Sequence, residues 1–255
     1  MLPSFDLMKF PAGVALFLDI DGTLIEIADT PDAVVVPQKL KRILRELQDC
    51  LDGAVALVSG RSIASIDELF KPLILPTSGK HGLEYRDALG HHSKDDIVVL
   101  KKIKNVQNIL EKFVDNNPGT ILEDKGETVA LHYRLRPKAK RAALTIIADL
   151  ISNHADLELI TGKMVLEIKP KVSHKGIAIL KFMNECPFLG KMPIFIGDDT
   201  SDEDGFKAVN ERGGISISVD TPYNSEARWQ LNSVSEVQNW LENLIKHLKK
   251  EKYEF

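Results

Sequence analysis

Residues 13–23 have the sequence GVALFLDIDGT, an apolar run of strand-forming residues that ends in a polar turn. A short run that is apolar on both faces is typical of a strand buried in a parallel sheet. Asp19 and Asp21 end this run, and because alternate residues of a strand share a face, their carboxylates point the same way. Two carboxylates held close together are costly unless a cation lies between them or one is protonated. Taken alone, the motif also fits an ordinary solvated Asp-Gly turn.

Strands and helices alternate on both sides of this run along most of the chain. Such alternation predicts an α/β fold in which helices flank a parallel sheet. The predicted elements are helices over 37–51, 62–70, 175–183 and 234–248 and further strands over 53–58, 193–197 and 215–219.

Residues 87–171 interrupt the alternation. The strands predicted there are more polar, and their residues alternate in polarity, which is typical of an antiparallel sheet with one exposed face. We therefore predict an inserted α+β domain over 87–171 within a core formed by 1–86 and 172–255. The patterns that support the insert are strands over 128–134 and 164–168 and helices over 106–114 and 139–151.

Composition limits the functional classes. The 255 residues include 33 lysines and arginines against 37 aspartates and glutamates, a net charge of −4 with a pI near 6.0. This balance argues against a protein that coats nucleic acid or an anionic membrane. Two cysteines are too few for a disulfide framework, and neither a secretory signal nor a membrane-spanning run is recognisable. We expect a cytoplasmic protein, monomeric, with no nucleic-acid or membrane partner.

The most acidic stretch is residues 197–204, GDDTSDED, which follows an apolar strand. Oxygen ligands at a strand end suit a hard cation such as Mg²⁺. A solvated acidic loop and a helix-loop-helix calcium site are the alternatives. Against the calcium site, Thr200 stands at its first ligand position, and a strand precedes it. The residues that do fit the calcium pattern are Asp202, Asp204, Gly205 and Glu211.

Two further motifs carry hydroxyl or cationic groups. Ser59-Gly60-Arg61 ends the second strand, where a hydroxyl, backbone N–H groups and a helix start suit phosphate binding. Lys175-Gly176 opens a helix and places an ammonium near its positive end. In isolation, Ser59 also fits a helix cap, and Lys175 a solvated surface charge. No G-x-x-x-x-G-K-[ST] sequence is present, which excludes a nucleotide P-loop.

In this order, the four motifs resemble those of the haloacid dehalogenase-like (HAD) phosphohydrolase superfamily. The resemblance implies a Rossmann-like core with an inserted cap of the C2 type. It implies that Asp19 is the nucleophile and that Asp21 is the acid and base. The remaining implied roles are phosphate binding by Ser59, Gly60, Arg61 and Lys175, and a Mg²⁺ site formed by Asp19, Asp21 and Asp198 with support from Asp202.

Four further segments, 78–84, 123–126, 129–134 and 162–170, resemble the trehalose-6-phosphate phosphatase family. The resemblance implies Mg²⁺-dependent hydrolysis of trehalose 6-phosphate through an aspartyl phosphate. Without it, the favoured interpretation is a surface ion pair for Glu123 and Lys125, and the exposed face of a strand for Glu167. Another sugar-phosphate phosphatase and a non-catalytic phospho-sugar sensor remain alternatives, although the intact Asp19 and Asp21 pair argues against the sensor. The implied substrate residues of the cap and hinge are His81, Gly82, Glu84, Glu123, Lys125, His132 and Glu167.

Overall fold

The structure is a computed structural model. It describes residues 13–27, 34–93, 96–124, 126, 128–154, 156–162, 164–171, 174–221 and 224–253. The chain divides into two compact units, one formed by Met1–Ser93 with His174–Phe255 and the other by Lys94–Ser173.

The first unit contains an eight-stranded sheet in the order β12-β11-β10-β1-β2-β3-β4-β5. Its six strands from β12 to β3 run parallel, and β4 and β5 add an antiparallel edge. This confirms the predicted α/β fold with a parallel sheet. The strands are β1 Val14–Leu18, β2 Val55–Val58, β3 Thr77–Gly79, β4 Glu84–Arg86, β5 His92–Ser93, β10 Met192–Gly197, β11 Ile215–Val219 and β12 Trp229–Leu231.

The central strand β1 is apolar because both of its faces are covered. All five of its residues are buried, and parallel neighbours β2 and β10 pair with it on either side. Helix α1 packs against α7 and helix α5 against α6. Phe17 of β1 lies in an aromatic cluster with Phe182 and Phe188, at ring-centroid distances of 5.9 and 5.4 Å. The helices of this unit are α1 Gln38–Cys50, α2 Ile63–Phe70, α5 Lys175–Phe182, α6 Glu203–Glu211 and α7 Val234–Tyr253.

The second unit is a four-stranded antiparallel sheet in the order β6-β7-β9-β8, with two helices. Along β9, Leu166 and Ile168 are buried in the core of this unit, while Glu167 between them is partly exposed. This is the alternation predicted for an antiparallel sheet with one polar face. The elements are α3 Asp96–Asp115, β6 Ile121–Asp124, β7 Val129–His132, α4 Lys140–Ser152, β8 Leu157–Gly162 and β9 Val165–Pro170.

Some elements differ from the sequence prediction. Helix α3 begins ten residues before the predicted pattern at Val106, because its first part contains adjacent β-branched residues that obscure the helical period. Strand β6 was not predicted, since none of its four residues is buried and it carries little apolar signal. Of the helices that the described part of the chain forms, none has the length and apolar composition needed to cross a bilayer.

Candidate active site

The predicted core motifs meet at a cavity of about 460 Å³ in the first unit. The loops after β1, β2 and β10 contribute to it because the carboxyl ends of parallel strands lie at one edge of a sheet. The lining residues are Asp19, Asp21, Ile27, Val34, Ser59, Gly60, Arg61, His81, Lys175, Asp198, Asp199 and Ser201.

Lys175 is the central cation of this site. It is the first residue of α5, whose N-terminus is capped by the His174 side chain, and it is 2% exposed. Its Nζ donates to Asp19 Oδ1 at 2.8 Å and to Asp202 Oδ1 at 2.7 Å. Burial by itself would lower the pKa of Lys175, but the carboxylates of Asp19 and Asp202 outweigh it and raise that pKa. The ammonium is therefore charged and shared between two carboxylates.

Asp202 lies behind the cavity and is fully buried. Its Oδ2 accepts hydrogen bonds from the backbone N–H groups of Asp198 at 3.0 Å and Asp199 at 3.1 Å. A capping box joins Asp199 and Asp202 at the short 3₁₀ turn Thr200–Asp202. These bonds fix the acidic loop against β10, and α6 then begins directly at Glu203. The calcium-loop alternative is excluded, because residues 203–211 form that helix.

Asp198 does not share the Lys175 ammonium that Asp19 and Asp202 hydrogen-bond to. Its Oδ1 accepts a hydrogen bond from the buried Thr23 hydroxyl at 3.1 Å. Burial and the negative charge of Asp19 together raise the pKa of Asp198 to about 7, against the lowering effect of the Thr23 bond. One carboxylate oxygen from each of Asp19, Asp198 and Asp202 lies within 4.8 Å of the others. These oxygens, with a deficit of positive charge at Asp198, fit a hard divalent cation.

The glycine of the Asp-Gly turn is required by this geometry. Gly22 has a φ of +80°, and a Cβ at this position would lie 2.0 Å from Asp198 Oδ2. A larger residue would therefore displace the carboxylate of Asp198. This explains in physical terms why glycine follows Asp21.

Arg61 forms a bidentate ion pair with Asp21. Its Nε is 2.6 Å from Asp21 Oδ2, and its Nη2 is 2.7 Å from Oδ1. Its backbone N–H donates to the buried Ser59 hydroxyl at 3.2 Å, which closes the loop over residues 59–61. The structure places Ser59, Gly60 and Arg61 at the cavity, with the Arg61 guanidinium on Asp21.

The predicted hinge residues His81, Gly82 and Glu84 differ in their surroundings. His81 lines the cavity, and a Cβ on Gly60 would lie 2.6 Å from its Nε2. Gly82 has a φ of +111°, and a Cβ there would lie 3.2 Å from the His174 carbonyl oxygen. Glu84 is not among the lining residues; its Oε2 instead accepts from Ile63 N at 2.6 Å.

Three of the four predicted cap residues share one face of the second unit's sheet. Glu123 of β6 is in register with Ala130 of β7, and Ala130 with Glu167 of β9, so both carboxylates project from the same face. Glu123 Oε2 is 2.8 Å from His132 Nε2, and Glu167 Oε1 accepts from the Thr128 hydroxyl at 2.7 Å. The fourth, Lys125, lies outside the described residues.

Two threonines that hydrogen-bond to predicted site residues were not singled out from the sequence. Thr23 stands in the quoted D-x-D-G-T motif, but its contact with Asp198 spans 175 positions and has no local signal. Thr128 precedes β7, and its bond to Glu167 depends on the pairing of β7 with β9.

Comparisons with known proteins identify the family. A trehalose-phosphatase family model matches residues 17–237. The chain is 40% identical to the trehalose-6-phosphate phosphatase of Escherichia coli (strain K12) over 98% of its own length and 93% of that protein. It is 41% identical to a probable trehalose-phosphate phosphatase of Sinorhizobium fredii, over 82% and 78% of the two chains. The structure of the Aspergillus fumigatus trehalose-6-phosphate phosphatase shares the fold, with a TM-score of 0.78, 24% identity and coverage of 92% and 93%. The chain therefore belongs to the trehalose-phosphatase family.

Proposed function

We propose that this enzyme hydrolyses trehalose 6-phosphate to trehalose and inorganic phosphate. The observation that carries the proposal is the meeting of Asp19, Asp21, Lys175 and Asp198 at one cavity. The 40% identity to the trehalose-6-phosphate phosphatase of E. coli supports the substrate.

In the proposed reaction, a carboxylate oxygen of Asp19 attacks phosphorus, and the bond from phosphorus to the trehalose oxygen breaks. Asp21, protonated and released from Arg61 at this point, gives its proton to that oxygen as it leaves. Asp21 then takes a proton from a water molecule, which attacks the aspartyl phosphate and releases phosphate while restoring Asp19. Splitting the reaction in this way is covalent catalysis, and the acid and base roles proposed for Asp21 are those that the resemblance to HAD phosphohydrolases implies.

The cationic groups position and neutralise the phosphoryl oxygens. Lys175 already lies 2.8 Å from Asp19 Oδ1, so it is beside the atom proposed to attack. Ser59, whose hydroxyl accepts from Arg61 N, and the backbone N–H group of Gly60 are proposed as further phosphoryl contacts at the end of β2. Phosphoryl transfer depends mainly on such positioning and charge stabilisation.

A divalent cation fits the same site, and we propose Mg²⁺. Asp19 and Asp198 would hold it together with the backbone carbonyl of Asp21, while Asp202 supports the site from behind. When bound, the cation reduces the repulsion between the Asp19 carboxylate and an anionic phosphate ester. Lys175 and the backbone bonds to Asp202 keep these carboxylates in place for the cation.

Specificity for the disaccharide is assigned to the second unit and the hinge. Glu123, Lys125 and Glu167 are proposed to bind hydroxyls of the distal glucose, since charged groups form strong hydrogen bonds with hydroxyls. His132 holds the Glu123 carboxylate at 2.8 Å. His81 is proposed to contact the substrate at the cavity that it lines.

Phosphate release from three esters tests the function directly. We expect hydrolysis of trehalose 6-phosphate to exceed that of glucose 6-phosphate and sucrose 6-phosphate, and EDTA to abolish it until Mg²⁺ is added. Comparable rates on all three esters would remove the disaccharide assignment, and EDTA-resistant turnover would contradict the metal requirement. Binding of trehalose 6-phosphate without turnover would favour the sensor.

The nucleophile has its own test. Asp19→Asn should lower kcat by at least about 10³-fold, because an amide does not replace the attacking carboxylate. Asp49→Asn, on the exposed face of α1, is the matched control and should be fully active. Near-normal turnover by Asp19→Asn would exclude the proposed role.

A cytoplasmic location and a monomeric state complete the proposal. Neither Cys50 nor Cys186 is in a disulfide, which suits a reducing compartment. Light scattering after size exclusion should give a mass near the 28.4 kDa of one chain.

A further inference from the structure

The turn at residues 80–84 has a strained backbone. Lys80 and His81 have φ values of +49° and +56°, in the left-handed region that residues with a Cβ rarely adopt, and Gly82 follows at +111°. Strain of this kind persists only where the surrounding structure imposes it, and it is concentrated at functional sites. What the turn touches therefore indicates what it does.

Backbone hydrogen bonds join this turn to the β2 loop, residues 59–61. Lys80 N donates to Arg61 O at 2.9 Å, and His81 N donates to Ser59 O at 3.0 Å. The two left-handed residues thus present their N–H groups to both ends of the loop. The position of the β2 loop depends on the conformation of the 80–84 turn.

Glu84 completes this connection from the other side. Its Oε2 accepts from Ile63 N at 2.6 Å, and Ile63 is the first residue of α2, directly after the β2 loop and Ser62. Its Oε1 lies 3.0 Å from Lys80 Nζ, within the strained turn. The first N–H groups of a helix have no partner inside the helix, and the Ser62 hydroxyl accepts from Ser65 N. Glu84 therefore accepts from the Ile63 N–H, while the Ser62 hydroxyl accepts from Ser65 N.

The backbone around this contact is closely packed. A Cβ on Gly79, at the end of β3, would lie 2.8 Å from Arg61 O, 3.0 Å from Ile63 N and 3.1 Å from Glu84 Oε2. The carboxylate of Glu84 is thus fixed between β3, the β2 loop and the start of α2.

We propose that Glu84 is a positioning residue for the β2 loop and acts on the reaction through Ser59–Arg61, not through the sugar. The inference rests on the proposed function, in which this loop binds the phosphoryl group. Loss of the Glu84 acceptor should therefore impair every phosphate ester to the same degree. Loss of a sugar contact would impair trehalose 6-phosphate alone.

Two substitutions at position 84 separate the acceptor from the charge. Glu84→Gln keeps an oxygen at the same reach but removes the charge, whereas Glu84→Asp keeps the charge and withdraws it by one methylene. We expect Glu84→Gln to keep kcat/KM within about threefold of wild type. We expect Glu84→Asp to lower kcat/KM by about ten- to a hundredfold on both trehalose 6-phosphate and p-nitrophenyl phosphate. Displacement of a group that positions the reactants by about 1 Å has a cost of this size. Glu68→Asp and Glu68→Gln, at an exposed position of α2, are the matched controls and should retain full activity.

A second pair of variants removes the donor and leaves Glu84 unchanged. Proline suits the first residue of a helix and lacks an N–H, and Ser62 already has the extended backbone that a following proline requires. Ile63→Pro should therefore lower kcat/KM equally on both esters. The reference is Ile63→Val, because valine is close to proline in size and keeps the backbone N–H. The inhibition constant of orthovanadate, a phosphate mimic without a sugar, should rise in parallel for Glu84→Asp and Ile63→Pro. These variants also decide the matter if Glu84→Asp does not fold.

Three results would overturn the inference. One is a loss confined to trehalose 6-phosphate, which would make Glu84 a sugar ligand. Another is a loss of kcat/KM in Glu84→Gln that equals or exceeds the loss in Glu84→Asp, which would assign the effect to the charge of Glu84. The third is full activity of both Glu84→Asp and Ile63→Pro. Failure of wild-type enzyme to hydrolyse trehalose 6-phosphate while the p-nitrophenyl ester shows the expected ranking would refute the substrate and leave the positioning role intact.

Discussion

Replacing Lys175 by methionine tests the electrostatics of the site in a single change. The substitution keeps most of the side-chain volume and removes the ammonium that Asp19 and Asp202 share. Asp19 is 4% exposed and Asp202 is fully buried, so water does little to replace the lost partner. The variant would hold the carboxylates of Asp19, Asp198 and Asp202 within 4.8 Å of one another without Lys175.

Breaking a buried charge pair typically costs about 3–5 kcal/mol, and we expect a loss of this size in the free energy of unfolding at pH 8 in EDTA. The loss should shrink below pH 7. Without Lys175 the pKa values of the crowded carboxyls rise, so the folded variant binds protons more readily than the unfolded chain. A group whose pKa is raised by folding stabilises the folded state at low pH and loses that effect as pH rises through the folded value. The deficit is therefore larger at pH 8 than at pH 5.

Urea unfolding followed by tryptophan fluorescence measures this, because Trp229 and Trp240 both lie in the first unit. Lys39→Met is the control, since it removes a surface pair with Glu242 and should cost less than about 1 kcal/mol at either pH. Adding Mg²⁺ should restore more stability to Lys175→Met than it adds to wild type, because the cation replaces the missing positive charge. The proposed role of Lys175 is refuted if Lys175→Met in EDTA at pH 8 is no less stable than Lys39→Met. It is also refuted if the loss in the free energy of unfolding is the same at pH 8 and pH 5.

Other consequences of the geometry are directly measurable. Thr23→Val removes the hydroxyl that orients Asp198 and should raise the Mg²⁺ concentration for half-maximal activity by about tenfold, with kcat at saturating Mg²⁺ retained; an unchanged Mg²⁺ requirement would contradict this role. Asp198→Asn should abolish Mg²⁺-dependent turnover, yet in EDTA above pH 7 it should raise the free energy of unfolding by about 1–3 kcal/mol, because it removes a partly exposed carboxyl whose pKa is raised to about 7. Urea titrations should show a smaller gain at pH 5, where the folded carboxyl is mostly neutral but the unfolded one is mostly ionised. The gain should vanish at about pH 3, where the carboxyl is neutral in both states. Glu167→Ala should lower kcat/KM for trehalose 6-phosphate about tenfold or more and leave kcat/KM for p-nitrophenyl phosphate unchanged. The control Glu158→Ala, at another strand position of the same sheet, should leave both values unchanged. Equal losses on the two esters in Glu167→Ala would make Glu167 structural.

The sequence was sufficient for those parts of the site that neighbouring residues encode. Asp19 and Asp21 follow directly after β1 and both line the cavity, and β1 was recognisable because both of its faces are buried. The class of the fold followed from the alternation of such strands with helices. These features depend on local chemistry, which the order of residues records directly.

Contacts between distant segments were not predictable in the same way. Arg61 pairs with Asp21 across 40 positions, and Lys175 reaches Asp19 across 156. The sequence placed these residues at one sheet edge but contained nothing about which cation would meet which carboxylate. Glu84 illustrates the same limit: the family resemblance implied a place near the hinge, and only the structure shows that it accepts from the start of α2.

The pairing of charges explains how an acidic chain accepts an anionic ester. Arg61 neutralises Asp21, and Lys175 is divided between Asp19 and Asp202, so the positive side chains of the cavity are already engaged with carboxylates. Asp198 has the neutral hydroxyl of Thr23, which leaves the deficit of positive charge localised at the acidic loop. A divalent cation bound there would do two things at once: it would relieve that deficit, and it would let Lys175 turn toward phosphate oxygens without leaving the Asp19 carboxylate bare. The requirement for metal then follows from where the charges are paired, and the net charge of −4 has no bearing on it.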